Sequence, residues 1–440
     1  MTKRNQQSTT KIAVIGVGYV GLVSGTCMAD LGHDVTCINR TPDKVIQLQK
    51  GIVPIYEPGL KKLVLKNMKA GRLRFTTDLD EGIKDAKIIF ITVGTPSMSD
   101  GQADISQVKI VAKEIGKRLQ DYTVIVDKST VPIGTAEVVR GIVKKYYRGK
   151  FDVVSCPEFL REGYAIYDFK QGDRIVIGAD NQRAADVMLK LFKNLKMAKL
   201  VTSIPSAEMI KYASNSFLAT KISFINEIAN ICELVGADVK EVAAGMGMDK
   251  RIGDKFLQAG IGYGGSCFPK DVRALENISV NKGYYFRLLK AVNDVNNYQR
   301  QIPVMKLLKL IKNLNGKGKL VTVLGLAFKN NTDDIRESSA ISIIKNLLLR
   351  GARVNAYDPV AENNATKILG KKIQYFADPY KAVKGAQAVI VATEWEEFTK
   401  FDWKKIKKLM KKPILIDGKN LLDPAEMRKI GFHYEGIGRL

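Results

Sequence analysis

The sequence predicts an α/β protein with two Rossmann-like, doubly wound domains, joined by a long central helix and a helical dimerisation region. Three observations predict this class: a glycine-rich turn after the first apolar strand, a long helical stretch beginning at Ser206, and a second series of apolar strands in the last third. We expect a disordered tail at 1–10, a dinucleotide-binding Rossmann domain at 11–204, a central helical region with a cysteine-bearing loop at 205–300, and a second Rossmann-like domain at 301–440.

Composition limits the chemistry that the chain can perform. Its 440 residues include five cysteines without a C-x-x-C pair and only two histidines, His33 and His433. Neither a zinc site nor a disulfide framework is indicated, so we expect no metal and a reducing cytoplasm. The polar first ten residues do not resemble a signal peptide, and no apolar run approaches the roughly 18 residues of a membrane span. The reactive groups must be Cys, Lys and carboxylates.

The chain is strongly basic, with a formal net charge of +25. Such a charge suits nucleic acid, an anionic surface or small anionic substrates. The densest basic stretch, 404–412, has apolar residues at helical spacing and predicts a solvated helix. No nucleic-acid motif accompanies it, so we expect no nucleic-acid or membrane partner and favour a field that steers phosphate-bearing ligands.

The first domain begins with a dinucleotide-binding pattern. The apolar strand Lys11–Ile15 leads into the residues Gly16, Gly18, Tyr19, Val20 and Gly21 of a G-x-G-x-x-G motif, and a helix and the strand Asp34–Ile38 follow. The glycines permit a tight turn and bring a pyrophosphate onto helix N–H groups. A simple packing turn is the alternative.

The end of the second strand departs from the pattern that selects NAD. An acidic residue there would bind the ribose hydroxyls, but this chain has Asn39, Arg40 and Thr41. An amide beside an arginine removes repulsion toward a 2′-phosphate and supplies donors for it. We therefore expect NAD as cofactor, with NADP accepted or even preferred.

Polar loops follow three further predicted strands of this domain. Because parallel sheets place ligands at the carboxyl ends of their strands, these loops are candidate site segments, although solvated loop charges are the alternative. The strands are 87–93, 123–127 and 151–155, and the loops are Gly94-Thr95-Pro96, Ser129-Thr130-Val131-Pro132 and 156–163.

The glycine-rich stretch 262–271 carries the candidate nucleophile, Cys267. Small residues permit close approach of the backbone to another molecule, and Pro269 suits the first turn of a helix. A thiol outside a helix N-terminus with Lys270 nearby favours the reactive thiolate, and Asp271 shares its helix face. A glycine turn with an incidentally buried cysteine is the alternative.

Polar residues on the central helix and in the last third complete the candidate site. Lys211 and Asn215 are four residues apart on the helix predicted from Ser206 to about Leu234, and together they can hold an oxyanion. Strands are predicted at 320–328, 352–357, 388–393 and 413–417. Lys329 and Arg336 flank the first of these turns and can hold phosphates.

Six motifs in order resemble the UDP-glucose 6-dehydrogenases of the UDP-glucose/GDP-mannose dehydrogenase family over nearly the whole chain. They are Gly16-x-Gly18-Tyr19-Val20-Gly21, Ser129-Thr130-Val131-Pro132, Pro157–Gly163, Lys211-Tyr212-x-x-Asn215-x-Phe217, Gly264–Asp271 and Phe328-Lys329 to Arg336-Glu337-Ser338. GDP-mannose or another nucleotide sugar is the rival substrate, and the segment 221–227 favours UDP-glucose.

The resemblance implies a four-electron oxidation of UDP-glucose to UDP-glucuronate, a precursor for polysaccharide biosynthesis, with two NAD used per turnover. Cys267 would form a thiohemiacetal and then a thioester. Lys211 and Asn215 would stabilise the C6 oxygen, Asp271 and Thr130 would position water, and Glu158 would act as acid and base.

The resemblance also implies the binding residues and a cytoplasmic homodimer. It implies that Arg251 reaches the sugar of the neighbouring subunit. In addition to the glycines of the first motif, the cofactor residues it implies are Val20, Asn39, Arg40, Lys44, Thr95, Thr130, Glu162 and Lys270. The substrate residues it implies are Glu158, Phe159, Leu160, Arg161, Glu162, Lys211, Asn215, Arg251, Phe256, Leu257, Gln258, Ala259, Gly260, Gly264, Lys329 and Arg336.

Two other classes of function stay open on the residues alone. A two-electron dehydrogenase would need no cysteine and would release one reduced cofactor per substrate. A basic nucleic-acid-binding or regulatory protein would retain the α/β fold without activity, although the intact Cys267, Lys211 and Asn215 argue against it.

Overall fold

The first unit of the chain, Met1–Ser214, contains an eight-stranded sheet in the order β3-β2-β1-β4-β5-β6-β7-β8. The computed structural model describes residues 9–98, 101–311, 314 and 319–439. The predicted tail at 1–10 therefore lies outside the described residues except for Thr9 and Thr10. The strands are β1 (Lys11–Ile15), β2 (Asp34–Ile38), β3 (Leu73–Thr76), β4 (Ile88–Ile91), β5 (Thr123–Asp127), β6 (Phe151–Ser155), β7 (Arg174–Gly178) and β8 (Ala198–Thr202).

All neighbouring strands of this sheet are parallel except β6 and β7, which are antiparallel. The central strands are apolar and fully buried because helices cover both faces, as parallel sheets require. The helices are α1 (Tyr19–Asp30), α2 (Pro42–Gln49), α3 (Leu60–Lys69), α4 (Leu79–Ile83), α5 (Ser106–Gly116), α6 (Thr135–Tyr146), α7 (Ala165–Gln171) and α8 (Gln182–Leu191).

The long helix α9 (Ile204–Val235) joins the two units, and the division falls within it at Ser214 and Asn215. Four further helices precede the second sheet. They are α10 (Val239–Gly247), α11 (Phe268–Asn281), α12 (Arg287–Gln299) and α13 (Ile302–Leu310). Among the described residues, no helix combines the length and the apolar character needed to cross a bilayer.

The second unit, Asn215–Leu440, contains a six-stranded parallel sheet in the order β11-β10-β9-β12-β13-β14. This is the same order of connections as in the first six strands of the other unit, so the predicted fold class is confirmed. Its elements are β9 (Leu320–Leu324), α14 (Ser339–Leu349), β10 (Arg353–Tyr357), α15 (Glu362–Leu369), a short 3₁₀ helix (Gly370–Lys372), β11 (Gln374–Tyr375), α16 (Pro379–Ala382), β12 (Ala388–Val391), α17 (Glu396–Thr399), α18 (Trp403–Leu409), β13 (Ile414–Asp417), α19 (Pro424–Ile430) and β14 (His433–Glu435).

Candidate functional site

The turn between β1 and α1 needs two of its three glycines for its own packing. Gly16 has φ of +106°, and a Cβ atom on Gly21 would overlap the carbonyl oxygen of Gly16. A Cβ on Gly18 would meet nothing within 4 Å, and no side chain caps α1 at this residue. The open space and the uncapped N–H groups fit the pyrophosphate of a dinucleotide, which would need a glycine to approach this closely.

Thr92, which the sequence analysis did not single out, fixes this turn from the end of β4. Its hydroxyl lies 3.0 Å from the carbonyl oxygen of Ile15 and 2.7 Å from that of Gly16. A lone threonine at the end of a predicted strand carries no signal of such a contact. The predicted pair Thr95 and Thr130 does come together, because the Thr95 hydroxyl donates to the Thr130 carbonyl at 2.7 Å.

A second residue that the sequence did not reveal, Glu57, connects the glycine motif to the loop after β6. The hydroxyl of Tyr19 donates to Glu57, whose carboxylate also accepts the backbone N–H groups of Gly163 at 2.7 Å and Ala165 at 2.8 Å. Burial, together with Glu57, raises the pKa of Tyr19. Tyr19 therefore contributes to the site by holding two loops of the first unit together.

The end of β2 presents amide and cationic groups. Asn39 is half-buried and its backbone N–H donates to Thr76, whereas Arg40 is exposed. Burial lowers the pKa of Lys44, which follows on α2. No carboxylate is paired with Arg40 or Lys44 among the residues that the structure describes. The local charge is therefore compatible with an additional phosphate.

The loop after β6 contains a buried ion pair between Glu158 and Lys211. Their side chains are 4% and 5% exposed, and Nζ lies 2.9 Å from Oε1. Burial alone would raise the pKa of Glu158, but Lys211 outweighs it and the pKa is lowered. The backbone N–H of Leu160 also donates to this carboxylate, at 2.5 Å. Glu158 is thus held as a carboxylate next to a buried ammonium group.

The neighbouring predicted residues have structural partners of their own. Arg161 forms a bidentate ion pair with Asp168, with the shortest distance 2.6 Å. The Lys211 ammonium lies 5.4 Å from the centre of the Phe159 ring, a cation–π contact. Glu162 is buried. Phe159 and Arg161 therefore each contact a charged side chain of the same unit.

A fully buried carboxyl group, Asp127, lies at the end of β5 just before the predicted Ser129–Pro132 loop. Burial and the nearby charge of Glu208 raise its pKa well above the ordinary value. Glu208 accepts the backbone N–H groups of Gly134 at 2.6 Å and Ala136 at 3.1 Å at the start of α6. The sequence analysis assigned neither carboxyl group.

In the second unit, Cys267 is half-buried at the N-cap of α11, with Pro269 in the first turn. The Ser266 hydroxyl lies 3.5 Å from its sulfur. Asp271 is fully buried, and its carboxylate lies 2.9 Å from the Lys270 ammonium. Its other oxygen accepts a hydrogen bond from Asn215 at 2.6 Å. The predicted residues Asn215, Cys267, Lys270 and Asp271 thus occupy one cluster.

The glycines before Cys267 allow a close approach of the chain's own loop. A Cβ on Gly264 would overlap the carbonyl oxygen of Glu337, and one on Gly265 would strike the Phe328 ring. The backbone N–H of Gly265 also donates to the carbonyl of Arg336 at 2.9 Å. The cysteine loop is therefore packed against the segment that carries the predicted phosphate-binding residues.

The remaining predicted residues of this unit lie in three places. Lys329 packs on the Phe328 ring and Arg336 pairs with Asp334 at 2.6 Å. Phe256 has φ of +64°, a strained backbone for a bulky residue, and Gly260 donates its N–H to Asn226 at 2.8 Å. Leu257 and Ala259 are buried, Gln258 is exposed, and the exposed Arg251 pairs with Asp249.

The fold and these clusters define a class: an α/β oxidoreductase with a dinucleotide turn in one unit and a helix-capping cysteine in the other. Three family models match the chain in order. They describe the NAD binding domain (residues 10–196), the central domain (205–298) and the UDP binding domain (322–424) of the UDP-glucose/GDP-mannose dehydrogenase family. The chain belongs to this family.

Relatives cover nearly the whole length of the chain. UDP-glucose 6-dehydrogenase TuaD of Bacillus subtilis is 51% identical over 431 residues, which are 98% of this chain and 93% of that protein. The UDP-glucose 6-dehydrogenase of Rhizobium meliloti is 47% identical over 436 residues, 98% and 99% of the two chains. A UDP-glucose dehydrogenase structure from Pyrobaculum islandicum superposes with a TM-score of 0.93 at 39% identity and full coverage of both chains.

Proposed function

We propose that this protein oxidises UDP-glucose to UDP-glucuronate with NAD, in two successive two-electron steps on the sugar C6 atom. The observation that carries this proposal is the half-buried Cys267 at the start of α11, one turn from a buried Asp271 held by Asn215 and Lys270. A simple alcohol dehydrogenase has no use for such a thiol. The relatives described above are named for the same substrate.

The nucleophile and its partners act on the C6 carbon. When bound, NAD accepts the hydride in each oxidation. The sulfur of Cys267 adds to the aldehyde carbon and forms a thiohemiacetal, which loses a hydride to become a thioester. Water then attacks the thioester carbon, the C–S bond breaks, and the acid leaves with the thiol restored. The covalent bond keeps the aldehyde from escaping between the two oxidations.

Charged and polar side chains stabilise the negative charge that develops in these steps, and they move the protons. Lys211 and Asn215 donate to the C6 oxygen as negative charge develops on it. Glu158, held as a carboxylate 2.9 Å from Lys211, exchanges a proton with the attacking water. Asp271 and Thr130 orient that water.

The binding residues are divided between the units. The turn at Gly16, Gly18 and Gly21 fits the cofactor pyrophosphate, with α1 directing its N–H groups at it. Lys329 and Arg336 would hold the uridine diphosphate. The proposed cofactor residues are completed by Val20, Asn39, Arg40, Lys44, Thr95, Thr130, Glu162 and Lys270, and the substrate residues by 158–162, 256–260, Gly264 and Arg251.

We also propose a cytoplasmic homodimer. On α9, Phe217, Phe224 and Ile231 are 65%, 49% and 51% exposed, and their seven-residue spacing puts them on one face. An exposed apolar stripe of this kind is typical of a helix–helix interface. Phe224→Asp should give a monomer in sedimentation experiments. None of the five cysteines, all within the described residues, forms a disulfide, which suits a reducing compartment.

Counting reduced cofactors tests the reaction. Two NADH per UDP-glucose consumed are expected, and one NADH would make the protein a two-electron dehydrogenase. Cys267→Ser should bind UDP-glucose with unchanged affinity but form no UDP-glucuronate, while Cys232→Ser, at a buried cysteine of α9, serves as the matched control. Faster turnover with GDP-mannose or UDP-N-acetylmannosamine would change the substrate assignment, and normal turnover by Cys267→Ser would refute the covalent mechanism.

A further inference from the structure

A basic cavity of about 610 Å³ lies at the start of β5 and β6 in the first unit. Tyr122 and Phe151, at the amino-terminal ends of these strands, contribute two of its walls. The dinucleotide turn follows the carboxyl end of β1 in the same sheet, so the cavity lies at the opposite edge. It is lined by Tyr122, Lys144, Tyr147, Arg148, Gly149, Lys150, Phe151, Asp152, Asn181 and Arg183.

The positive charge of this cavity is only partly balanced by the chain. Lys144, Arg148, Lys150 and Arg183 are exposed, and none of them has an ion-pair partner among the described residues. The single carboxylate of the lining, Asp152, offsets one of these four charges, and both of its oxygens are engaged by neutral donors. It accepts the Tyr122 hydroxyl at 2.6 Å and the Asn181 amide at 2.7 Å, one on each oxygen.

Some basic side chains elsewhere in this unit are paired. Lys66 and Lys170 both contact Asp30, and Arg74 contacts Asp34. Four neighbouring cations without such partners produce a concentrated positive potential, which is the usual environment of phosphate groups.

Planar surfaces accompany the cations. The guanidinium of Arg183 lies 3.4 Å from the centre of the Tyr122 ring, as in a stacked pair. Arg183 is exposed, and arginine planes stack on nucleobases. The rings of Tyr147 and Phe151, 6.3 Å apart, add apolar wall. The volume lies in the range of small-molecule sites, which is enough for a mononucleotide.

We propose that this cavity is a second nucleotide site, remote from the catalytic residues, which binds a nucleoside di- or triphosphate. Lys144, Arg148 and Lys150 bind the phosphates, and the base stacks on the exposed face of Arg183. This inference does not depend on the proposed function, because none of these residues belongs to the dinucleotide turn or the cysteine cluster.

Photolabelling of the full-length chain locates the site directly. The protein is irradiated with 8-azidoadenosine 5′-triphosphate and the labelled peptides are mapped by mass spectrometry. Label at 122, within 144–152 or at 181–183, competed by excess ATP or UTP, is expected. Label confined to the segments around Gly16 and Lys329 would overturn the proposal.

Variants test the residue assignments by equilibrium dialysis with ATP. Arg183→Ala should weaken binding at the labelled site about tenfold or more, the loss of one charged contact. The matched control is Arg353→Ala, at an exposed arginine at the start of β10 in the other unit, which should bind like the wild type. Equal binding by Arg183→Ala would refute the site.

A conservative variant separates stacking from charge. Arg183→Lys keeps the charge but loses the planar group, so its affinity should fall between those of the wild type and Arg183→Ala. Wild-type affinity in Arg183→Lys would refute the stacked base. Oxidation of UDP-glucose without added ATP should be unchanged in all three variants, which checks their folding.

Discussion

Replacing Lys211 with methionine tests the electrostatics of the site most sharply. The substitution keeps an unbranched side chain and removes the ammonium that lies 2.9 Å from Glu158. Both side chains are almost fully buried, so the Glu158 carboxylate cannot replace the lost ammonium group with water. We expect Glu158 to bind a proton in the folded variant, because a buried unpaired charge is more costly than protonation.

The free energy needed to protonate Glu158 sets the size of the destabilisation. At pH 7, protonating a carboxyl group of ordinary pKa near 4.3 costs roughly 3.7 kcal/mol, and at pH 5 roughly 1 kcal/mol. The first value lies within the range of about 3–5 kcal/mol for breaking a buried pair. In the variant the folded pKa of Glu158 exceeds the unfolded value, so stability falls as pH rises above about 4. The destabilisation should therefore be several-fold larger at pH 7 than at pH 5.

Hydrogen exchange of the segments 151–163 and 204–214 should measure this change in the free energy of unfolding. Tryptophan fluorescence is unsuitable, since Trp395 and Trp403, the only tryptophans, lie in the second unit. The control is the double variant Lys211→Met with Glu158→Gln, which removes the second charge and should recover most of the loss. An equal loss at both pH values, or no recovery in the double variant, would refute the reasoning.

Three further predictions concern separate parts of the chain. Because the pKa of Asp127 is raised in the folded state, the wild type should lose stability as pH rises above about 4, and Asp127→Asn should remove this loss. Parallel pH profiles of the wild type and the variant in urea unfolding would contradict this prediction. Gly264→Ala should destabilise by about 1–3 kcal/mol in the same assay because its Cβ overlaps the Glu337 carbonyl. Gly245→Ala, with open space around it in α10, should be neutral or stabilising, and equal effects would disprove the packing argument. The wild type should turn over with NADP in addition to NAD, and Asn39→Asp should lower kcat/KM for NADP about tenfold or more; a large wild-type preference for NAD would show that this amide does not admit a 2′-phosphate.

Local patterns predicted the fold class because each central strand is a short apolar run bounded by turn residues. The edge strands were not predicted, and neither was the interior strand β7, although its sequence RIVIG is mostly apolar. β8, with the sequence AKLVT, is largely exposed, so its composition lacks the apolar signal. β3, with the sequence LRFT, has a charged residue in the middle of only four. An edge strand packs on fewer neighbours, and its sequence is correspondingly less constrained.

The parts of the candidate site whose residues lie within one motif could be predicted from the sequence. The contacts between residues that are far apart in the sequence could not. Cys267, Lys270 and Asp271 belong to one turn of helix, so their proximity follows from spacing. Glu57 contacts Gly163, 106 residues away, and nothing in the spacing of either residue indicates it. The loop that meets Gly264 and Gly265 is also remote in sequence. The two glycines predicted that another group approaches the backbone closely, but they did not indicate which segment that group belongs to.

The two sheets share one connectivity, but only the first has an open anion site after its first strand. In the second unit, Asp358 at the end of β10 accepts the backbone N–H groups of Leu326 at 2.6 Å and Ala327 at 3.0 Å. These donors follow β9, where a phosphate would bind in a dinucleotide fold. The corresponding position in the first unit is Asn39, and within the described part of the chain no carboxylate side chain caps α1 at Gly18. Because Asp358 already occupies the N–H groups of Leu326 and Ala327, these two donors are not available to the pyrophosphate of a dinucleotide, and one dinucleotide per chain is expected at these two turns.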